Sequence, residues 1–157
     1  MDRRRLVGWA LVAVQLALLA ALVLLPGGSA WSVPEWARLL LRVVQAVGLG
    51  LAAWGLLDLG RSLTAHPAPV SRGVLRTGGS FRFARHPIYG GLMVWAAATA
   101  AQTGNPWSVV AFVALVLLFN GKARWEESML AAHYPGYPAY AAVTPRFIPG
   151  PWRRVGS

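Results

Sequence analysis

Cysteine is absent from this sequence and acidic residues are scarce, with 0 Cys and 5 Asp+Glu. The absence of cysteine excludes disulfides, thiolate metal sites and a cysteine nucleophile. Charged residues of both signs make up only 13% of the chain, while hydrophobic residues make up 56%. This balance is too apolar for an ordinary soluble domain, and it predicts an integral membrane protein.

Basic residues are in excess, because 15 Lys+Arg give a formal net charge of +10. They flank apolar runs and do not form the dense stripe typical of nucleic-acid binding, so no nucleic-acid partner is predicted. The 3 histidines lie at no short ligand spacing, so no metal site is predicted either. No serine lies in a nucleophile elbow, and nucleophilic catalysis by serine therefore lacks support.

Four apolar runs predict an all-α, polytopic membrane protein with a single domain over residues 1–157. The predicted spans cover residues 6–25, 43–59, 88–102 and 107–121. The first follows a run of arginines and has the roughly 20 residues that a helix needs to cross the hydrocarbon core. A cleaved signal peptide ending near Gly28-Ser29-Ala30 is the alternative, but the apolar run is longer than the roughly 7–15 residues of a signal core.

The second span follows an amphipathic segment, residues 31–42, whose tryptophans suit the headgroup level of a membrane interface. Within the span, Gly48, Ala52 and Gly55 recur at three- and four-residue spacing. They predict a helix face that a neighbouring helix can approach closely, and a homo-oligomer would be one use of that face.

Two polar regions, residues 60–87 and 122–149, follow the second and fourth spans. With four spans, both regions and both termini lie on the same side of the membrane. They carry most of the Lys and Arg residues, so the positive-inside rule places them in the cytoplasm. Richness in Ala, Arg, Gly and Trp suggests a bacterial source, and hence a bacterial inner membrane. We expect the tail after residue 133 to be ordered only where it packs back on a site.

The strongest functional signal is Arg85-His86-Pro87, at the mouth of the third span. Ionisable residues at a membrane boundary are expensive to desolvate, so they indicate a functional site. An interfacial helix start with proline in its first turn is the alternative interpretation. The fourth helix should continue beyond the membrane to about His133, with Asn120, Arg124 and Glu127 on one face. An exposed Arg–Glu pair on a solvated helix would explain that face equally well.

Four motifs occur in order: TGGSFRFARHPIYGG at residues 77–91, EESML at 126–130, GYPAY at 136–140 and VTPRFIP at 143–149. Over roughly residues 73–149, their order and spacing resemble the isoprenylcysteine carboxyl methyltransferase and phospholipid methyltransferase superfamily of integral membrane enzymes. One departure is Gly79, where many relatives have a proline after the glycine. We expect this departure to loosen the turn.

The resemblance implies that S-adenosylmethionine binds at the cytoplasmic ends of the third and fourth spans. Its methyl group would pass to a lipophilic or amphipathic acceptor, such as an isoprenylcysteine carboxylate or a lipid headgroup. The residues implied in cofactor binding are Arg85, His86, Pro87, Tyr89, Gly90, Glu126, Glu127, Tyr137 and Tyr140. Those implied in catalysis are Arg85, Glu127 and Arg146, and those implied in acceptor binding are Asn120, Arg124 and Arg146.

The chemistry of this cofactor suggests which of its groups each implied residue would bind. Glu126 or Glu127 would pair with its ammonium group, while Arg85 and His86 would hold its carboxylate. The glycine pair of the first motif would let the backbone approach the ligand, and the tyrosines would stack on adenine or face the sulfonium. A carboxylate acceptor needs no base; an amine, phenol or thiol could need one, with Glu127, His86 or a tyrosine as candidates.

Two alternatives from other classes are compatible with the same residues. A membrane reductase of the related sterol-reductase type has a similar C-terminal layout, but it binds NADPH and transfers hydride. A non-catalytic membrane subunit or small transporter would use the cytoplasmic charges only as scaffold. Binding of S-adenosylmethionine as opposed to NADPH separates these readings.

Overall fold

The computed structural model describes residues 3–60 and 75–148, with side chains from residue 6 onward. The described helices are α1 (Arg3–Leu24), α2 (Glu35–Leu59), α3 (Pro87–Thr103), α4 (Pro106–His133) and α5 (Tyr137–Val143), and a 3₁₀ turn spans Gly79–Arg82. No strand occurs in this described part, which confirms the all-α prediction. Within the predicted cytoplasmic regions, residues 61–74 and 149 lie outside the described residues.

Three of the described helices have the length and composition needed to cross a membrane: α1 from Leu6 to Leu24, α2 and α4. α3 has only 17 residues, or about 26 Å of helix, which is less than the hydrocarbon thickness of roughly 30 Å. α4 has 28 residues, or about 42 Å, so it is long enough to extend beyond the membrane as predicted. The chain is an integral membrane protein, and the predicted count of four spans is approximate.

The segment predicted at the membrane interface, residues 31–42, does not form an element of its own. From Glu35 onward it belongs to α2, which follows the extended residue Pro34. Trp31, in the preceding loop, donates from its indole nitrogen to the Ala101 carbonyl at 2.9 Å. One continuous helix of 25 residues therefore replaces the predicted interfacial segment and second span.

The small residues predicted on one face of α2 are buried against α3, which confirms their packing role. A Cβ added to Gly48 would lie 2.6 Å from the Trp95 backbone nitrogen, and one added to Gly91 would lie 2.5 Å from the Ala52 backbone nitrogen. The two backbones can meet this closely only because the side chains are missing. Since α3 of the same chain fills this face, the face gives no support to the predicted homo-oligomer.

α3 packs against both α2 and α4, while α1 packs mainly on α4. The core contains Leu22, Ala96, Leu115 and Phe119, each at most 1% exposed. Large apolar side chains elsewhere on α1, α2 and α4 are exposed, including Leu57 at 78%, as expected for helices that contact lipid. α3, whose first residues belong to the main sequence motif, therefore contacts α1, α2 and α4.

The 3₁₀ turn before α3 begins at Gly79, whose φ of 60° is in the left-handed region. The Asp58 carboxylate occupies the position that a Cβ on Gly79 would take, and its Oδ2 atom accepts a hydrogen bond from the Ser80 backbone nitrogen at 2.6 Å. A proline has φ fixed near −65° and could not adopt this conformation. Glycine at this position lets Asp58, at the end of α2, hold the turn, and the expectation that Gly79 loosens the turn relative to a proline stays a prediction.

Candidate active site

The C-terminal tail lies against the start of α3. The backbone nitrogens of Arg85 and His86 donate to the carbonyls of Pro145 and Arg146, each at 2.8 Å. Pro87 occupies the first turn of α3, where its missing N–H costs no helical hydrogen bond. The tail thus packs back on the Arg-His-Pro motif, as expected for it.

The two glycines that follow this motif make contacts within the chain. The Phe147 carbonyl occupies the position that a Cβ on Gly90 would take, and α2 backbone atoms occupy the corresponding position at Gly91. These contacts bring the tail and α2 close to α3. The expected approach of this backbone to a ligand stays a prediction.

Glu127 connects three segments of the chain. Its carboxylate accepts two hydrogen bonds from Arg146, with Nη2 2.7 Å from Oε2 and Nε 3.0 Å from Oε1. His86 Nε2 lies 3.2 Å from Oε1, and Arg85 Nη1 lies 3.5 Å from the same oxygen. These contacts compensate a carboxylate whose side chain is only 12% exposed. In return, the hydrogen bonds that Arg146 donates to Glu127 raise the pKa of Arg146.

Arg85, His86, Glu127 and Arg146 form one cluster of charged side chains with Glu126. The Glu126 Oε1 atom accepts from the Tyr89 hydroxyl at 2.6 Å, and its Oε2 atom lies 3.5 Å from His86 Nδ1. Each ring nitrogen of His86 therefore faces one carboxylate. The Tyr89 ring stacks on His86 with 5.3 Å between centroids and on Phe119 with 4.7 Å. Tyr89 thus has protein partners where the sequence predicted adenine or the sulfonium, and its hydroxyl orients Glu126.

α5 contributes Tyr137 and Tyr140, whose rings meet edge to face with 6.0 Å between centroids. The Tyr140 hydroxyl donates to the Phe81 carbonyl, which ties α5 to the 3₁₀ turn. Burial raises the pKa of both tyrosines, so both phenols stay protonated at neutral pH. They are therefore suited to donate hydrogen bonds and poorly suited to act as bases.

Two buried polar atoms of the cluster lack hydrogen-bond partners. The Arg85 guanidinium is close enough to Tyr137 to oppose the rise in its pKa, but neither Arg85 Nε nor the Tyr137 hydroxyl makes a hydrogen bond of acceptable geometry. A buried polar group in that state costs free energy. These atoms are therefore the clearest candidates in the cluster for contact with a ligand.

The cluster as a whole combines carboxylates, guanidinium groups, an imidazole and phenols. Charge-assisted hydrogen bonds from such groups can hold a ligand that carries both an ammonium and a carboxylate. Within residues 3–60 and 75–148, no group of three or more acidic or histidine side chains is arranged to hold a metal ion.

A family model described as phospholipid methyltransferase matches residues 37–136 of this chain. The chain belongs to the phospholipid methyltransferase family. The matched residues run from the first turn of α2 to the residue before α5 and include every charged residue of the cluster except Arg146. Arg146 and the tail segment that carries it lie beyond the matched range.

Three curated relatives of this family member illustrate its similarities. It is 28% identical over 127 residues to the cobalt-zinc-cadmium resistance protein CzcN of Cupriavidus metallidurans, covering 80% of this chain and 56% of that protein. It is 32% identical over 77 residues to protein-S-isoprenylcysteine O-methyltransferase B of Arabidopsis thaliana, covering 48% and 39%. It is 43% identical over 58 residues to a protein of Oryza sativa subsp. indica named probable protein-S-isoprenylcysteine O-methyltransferase, covering 36% and 30%. The matches therefore cover about half of the CzcN protein and less than half of the two plant proteins.

Two residues predicted to bind the acceptor in this phospholipid methyltransferase family member lie apart from the ion pairs. Arg124 is exposed on α4, and the Glu127 ion pairs among the described residues are made with other elements. The alternative interpretation of this face of α4, an exposed Arg124–Glu127 pair, is therefore not what the structure contains. The Asn120 amide donates to the Val116 carbonyl at 2.9 Å within the same helix. The acceptor-binding roles of both residues stay predictions.

Lys122 belongs to the site of this family member, although no sequence motif indicated it. Lys122 is 4% exposed, its Nζ atom donates to Gln15 Oε1 on α1 at 2.7 Å, and it lies 5.0 Å from the centre of the Tyr89 ring. One signal was available: Gln15 and Lys122 are polar interruptions of apolar patterns. Their pairing could not be read from the sequence, because 107 residues separate them.

Proposed function

We propose that this chain transfers a methyl group from S-adenosylmethionine to a lipophilic or amphipathic acceptor at the cytoplasmic face of the membrane. The observation that carries the proposal is the convergence of Arg85-His86, Glu126-Glu127 and Arg146 on one cluster in a member of the phospholipid methyltransferase family. This convergence comes from three distant chain segments. Such an arrangement of charged side chains beside apolar helices is costly unless it serves a function.

The donor set fits the methionine end of S-adenosylmethionine. Glu126 suits the ammonium better than Glu127 does, because two guanidinium groups already compensate Glu127. The partnerless Arg85 Nε and Tyr137 hydroxyl could donate to the ligand carboxylate. The ammonium and the carboxylate of the ligand would thus each meet groups that have hydrogen-bonding capacity left.

When bound, S-adenosylmethionine supplies a methyl group on a positively charged sulfur. Transfer forms a bond between the acceptor atom and the methyl carbon, and the carbon–sulfur electron pair returns to sulfur. The residues of the cluster would align the two reactants and exclude water from between them. Their contribution is mainly orientation, because the leaving sulfur needs no proton.

The state of the ionisable groups favours an acceptor that needs no base. Glu127 is engaged by Arg85 and Arg146, and burial keeps Tyr137 and Tyr140 protonated. His86, the other candidate base, has a carboxylate facing each of its ring nitrogens. Each candidate base is thus engaged by the protein or already protonated, and is poorly placed to take a proton from an amine or a thiol. We therefore propose a carboxylate acceptor, in agreement with the names of the Arabidopsis and Oryza relatives.

The proposed acceptor reaches the site from the bilayer. The exposed apolar faces of α1, α2 and α4 would contact lipid, and a lipid-soluble tail would lie between helices with its reactive end at the cluster. The positive-inside rule supports a cytoplasmic location for the cluster and both termini, and the composition favours a bacterial inner membrane. The four-span, single-domain organisation belongs to this proposal.

Calorimetry on the purified full chain in lipid nanodiscs tests the proposal. S-adenosylmethionine and its demethylated product should both release heat on binding, while NADPH should not. Membranes that contain the protein should then transfer a radiolabelled methyl group into a lipid-extractable fraction, as an ester that alkali hydrolyses. Absence of binding by both sulfur compounds would sink the proposal, and binding of NADPH in their place would favour a reductase.

A further inference from the structure

Lys122 and Glu126 are four residues apart on α4, a spacing at which lysine and glutamate side chains can pair on a helix. They form no ion pair in the described structure. Lys122 Nζ instead donates to Gln15 Oε1 on α1 at 2.7 Å and lies 5.0 Å from the centre of the Tyr89 ring. Glu126 uses its Oε1 atom to accept from the Tyr89 hydroxyl. Opposite charges that could meet are therefore held apart.

Keeping Lys122 away from Glu126 costs free energy. Lys122 is 4% exposed, and a buried ammonium is compensated better by a carboxylate than by a neutral amide. Its hydrogen-bond acceptor, Gln15, lies in the part of α1 from Leu6 to Leu24, whose other residues are all apolar. An arrangement that forgoes the better partner indicates that the carboxylate is needed for something else.

The separation leaves one oxygen of Glu126 available. Oε2 has no hydrogen bond from the described residues, and its nearest ion-pair neighbour is His86 Nδ1 at 3.5 Å, beyond the usual range of about 2.7–3.2 Å. The Glu126 side chain is 13% exposed, so it is mostly withdrawn from water. A cation placed against this oxygen would be strongly attracted.

We infer that Gln15 is a positioning residue for the site. By holding Lys122 on the α1 side of the Tyr89 ring, it prevents the ammonium of Lys122 from occupying the Glu126 oxygen that a cationic group of the methyl donor requires. This inference rests on the proposed function. It adds α1 to a site whose recognised motifs all lie in residues 73–149.

Equilibrium binding of S-adenosylmethionine to the full chain in nanodiscs tests this role. Gln15→Leu should weaken binding about tenfold or more, because the released Lys122 pairs with Glu126 and competes with the ligand. Adding Lys122→Met to Gln15→Leu should restore affinity to within about threefold of the parent, since the competing ammonium is gone. Gln15→Glu retains an acceptor oxygen for Lys122 and should bind like the parent.

The matched control is Gln45→Leu, which also removes a glutamine from a membrane helix but breaks only the hydrogen bond from Gln45 to Thr99 Oγ1, 2.8 Å long. It should bind like the parent. Parent-like binding by Gln15→Leu, or a double variant as weak as the single one, overturns the inference. Gln15→Met, which occupies similar space, replaces the leucine variant if that variant does not fold. A parent chain that binds no S-adenosylmethionine overturns the proposed function itself.

Discussion

Glu127 on α4 and Arg146 in the C-terminal tail form a bidentate ion pair, with nitrogen–oxygen distances of 2.7 and 3.0 Å. The planar guanidinium presents N–H donors from two separate nitrogens to the two carboxylate oxygens, whereas a lysine ammonium has a single nitrogen. The same carboxylate also faces His86 and Arg85. The tail is therefore a structural part of the candidate site. Loss of the tail should disturb the positions of Glu127, His86 and Arg85.

Arg146→Lys should lower methyl transfer about tenfold to a hundredfold and the free energy of unfolding by roughly 1–2 kcal/mol, because one of two charge-assisted hydrogen bonds is lost. Labelled methyl transfer and thermal unfolding in nanodiscs measure the two effects. The control is Arg42→Lys at an exposed position of α2, which should leave both unchanged. Equal behaviour of the two variants would contradict a role for the bidentate pair.

Gly90→Ala should detach the tail from α3, because the new methyl group would take the place of the Phe147 carbonyl. Such overpacking typically costs about 1–3 kcal/mol of unfolding free energy, and proteolysis of the tail should become faster. Gly50→Ala is the matched helical control, since nothing lies within 4 Å of a Cβ there. Tail cleavage at the parent rate in Gly90→Ala would show that this contact does not hold the tail.

Gly79→Pro should disrupt the 3₁₀ turn, although many relatives are expected to have proline at this position. Proline cannot adopt the φ of 60° found here, so the turn must move away from the Asp58 carboxylate. Gly79→Ala should be milder, costing about 1–2 kcal/mol for the left-handed conformation plus displacement of that carboxylate. Thermal unfolding of both variants checks the order; a proline variant as stable as the parent would show that the turn has another conformation.

Alkaline pH should destabilise the protein through Tyr137 and Tyr140. Their folded-state pKa values are raised by burial above the value of about 10 expected in an unfolded chain. Stability from the neutral phenols is therefore complete below pH 10 or so and is lost as the pH rises above it. Unfolding temperature measured from neutral to alkaline pH should fall, and tyrosinate absorbance should rise as the chain unfolds.

Tyr140→Phe separates the pH effect from packing. It removes the hydrogen bond to the Phe81 carbonyl, which should cost about 1 kcal/mol at neutral pH. Because the variant has no phenol to ionise at this position, its stability should decline less steeply than that of the parent at alkaline pH. A decline as steep as that of the parent would assign the alkaline sensitivity to other groups.

Much of the helical framework could be predicted because its signals are local. The apolar run that forms α1 and the proline that opens α3 depend only on neighbouring residues, and the structure has both near their predicted positions. The close packing face of Gly48, Ala52 and Gly55 was also visible from spacing alone. The start of α2 was missed because an amphipathic pattern describes an interfacial segment and the first turns of a long helix equally well.

The candidate site was predictable as a set of residues but not as a set of contacts. Arg85, His86, Glu126, Glu127 and Arg146 were all identified from motifs, and their roles toward the cofactor stay predictions. Gly90 was assigned to the ligand, whereas the structure gives its space to the Phe147 carbonyl. Nothing in the spacing of a glycine distinguishes these two uses, since both require only a missing side chain.

The sequence by itself determined that this is an all-helical membrane protein of a methyltransferase superfamily, with charged motifs at one end of its helices. Those properties follow from hydropathy, length and short motifs, each confined to a few turns of the chain. Only the tertiary structure decided which partner each buried charged group takes: Glu127 pairs with Arg146, Glu126 accepts from Tyr89, and Lys122 donates to Gln15 instead of pairing with Glu126 on the same helix. The physical reason is that a buried charge takes its partner from whichever element packs beside it, and packing joins residues that the sequence keeps far apart.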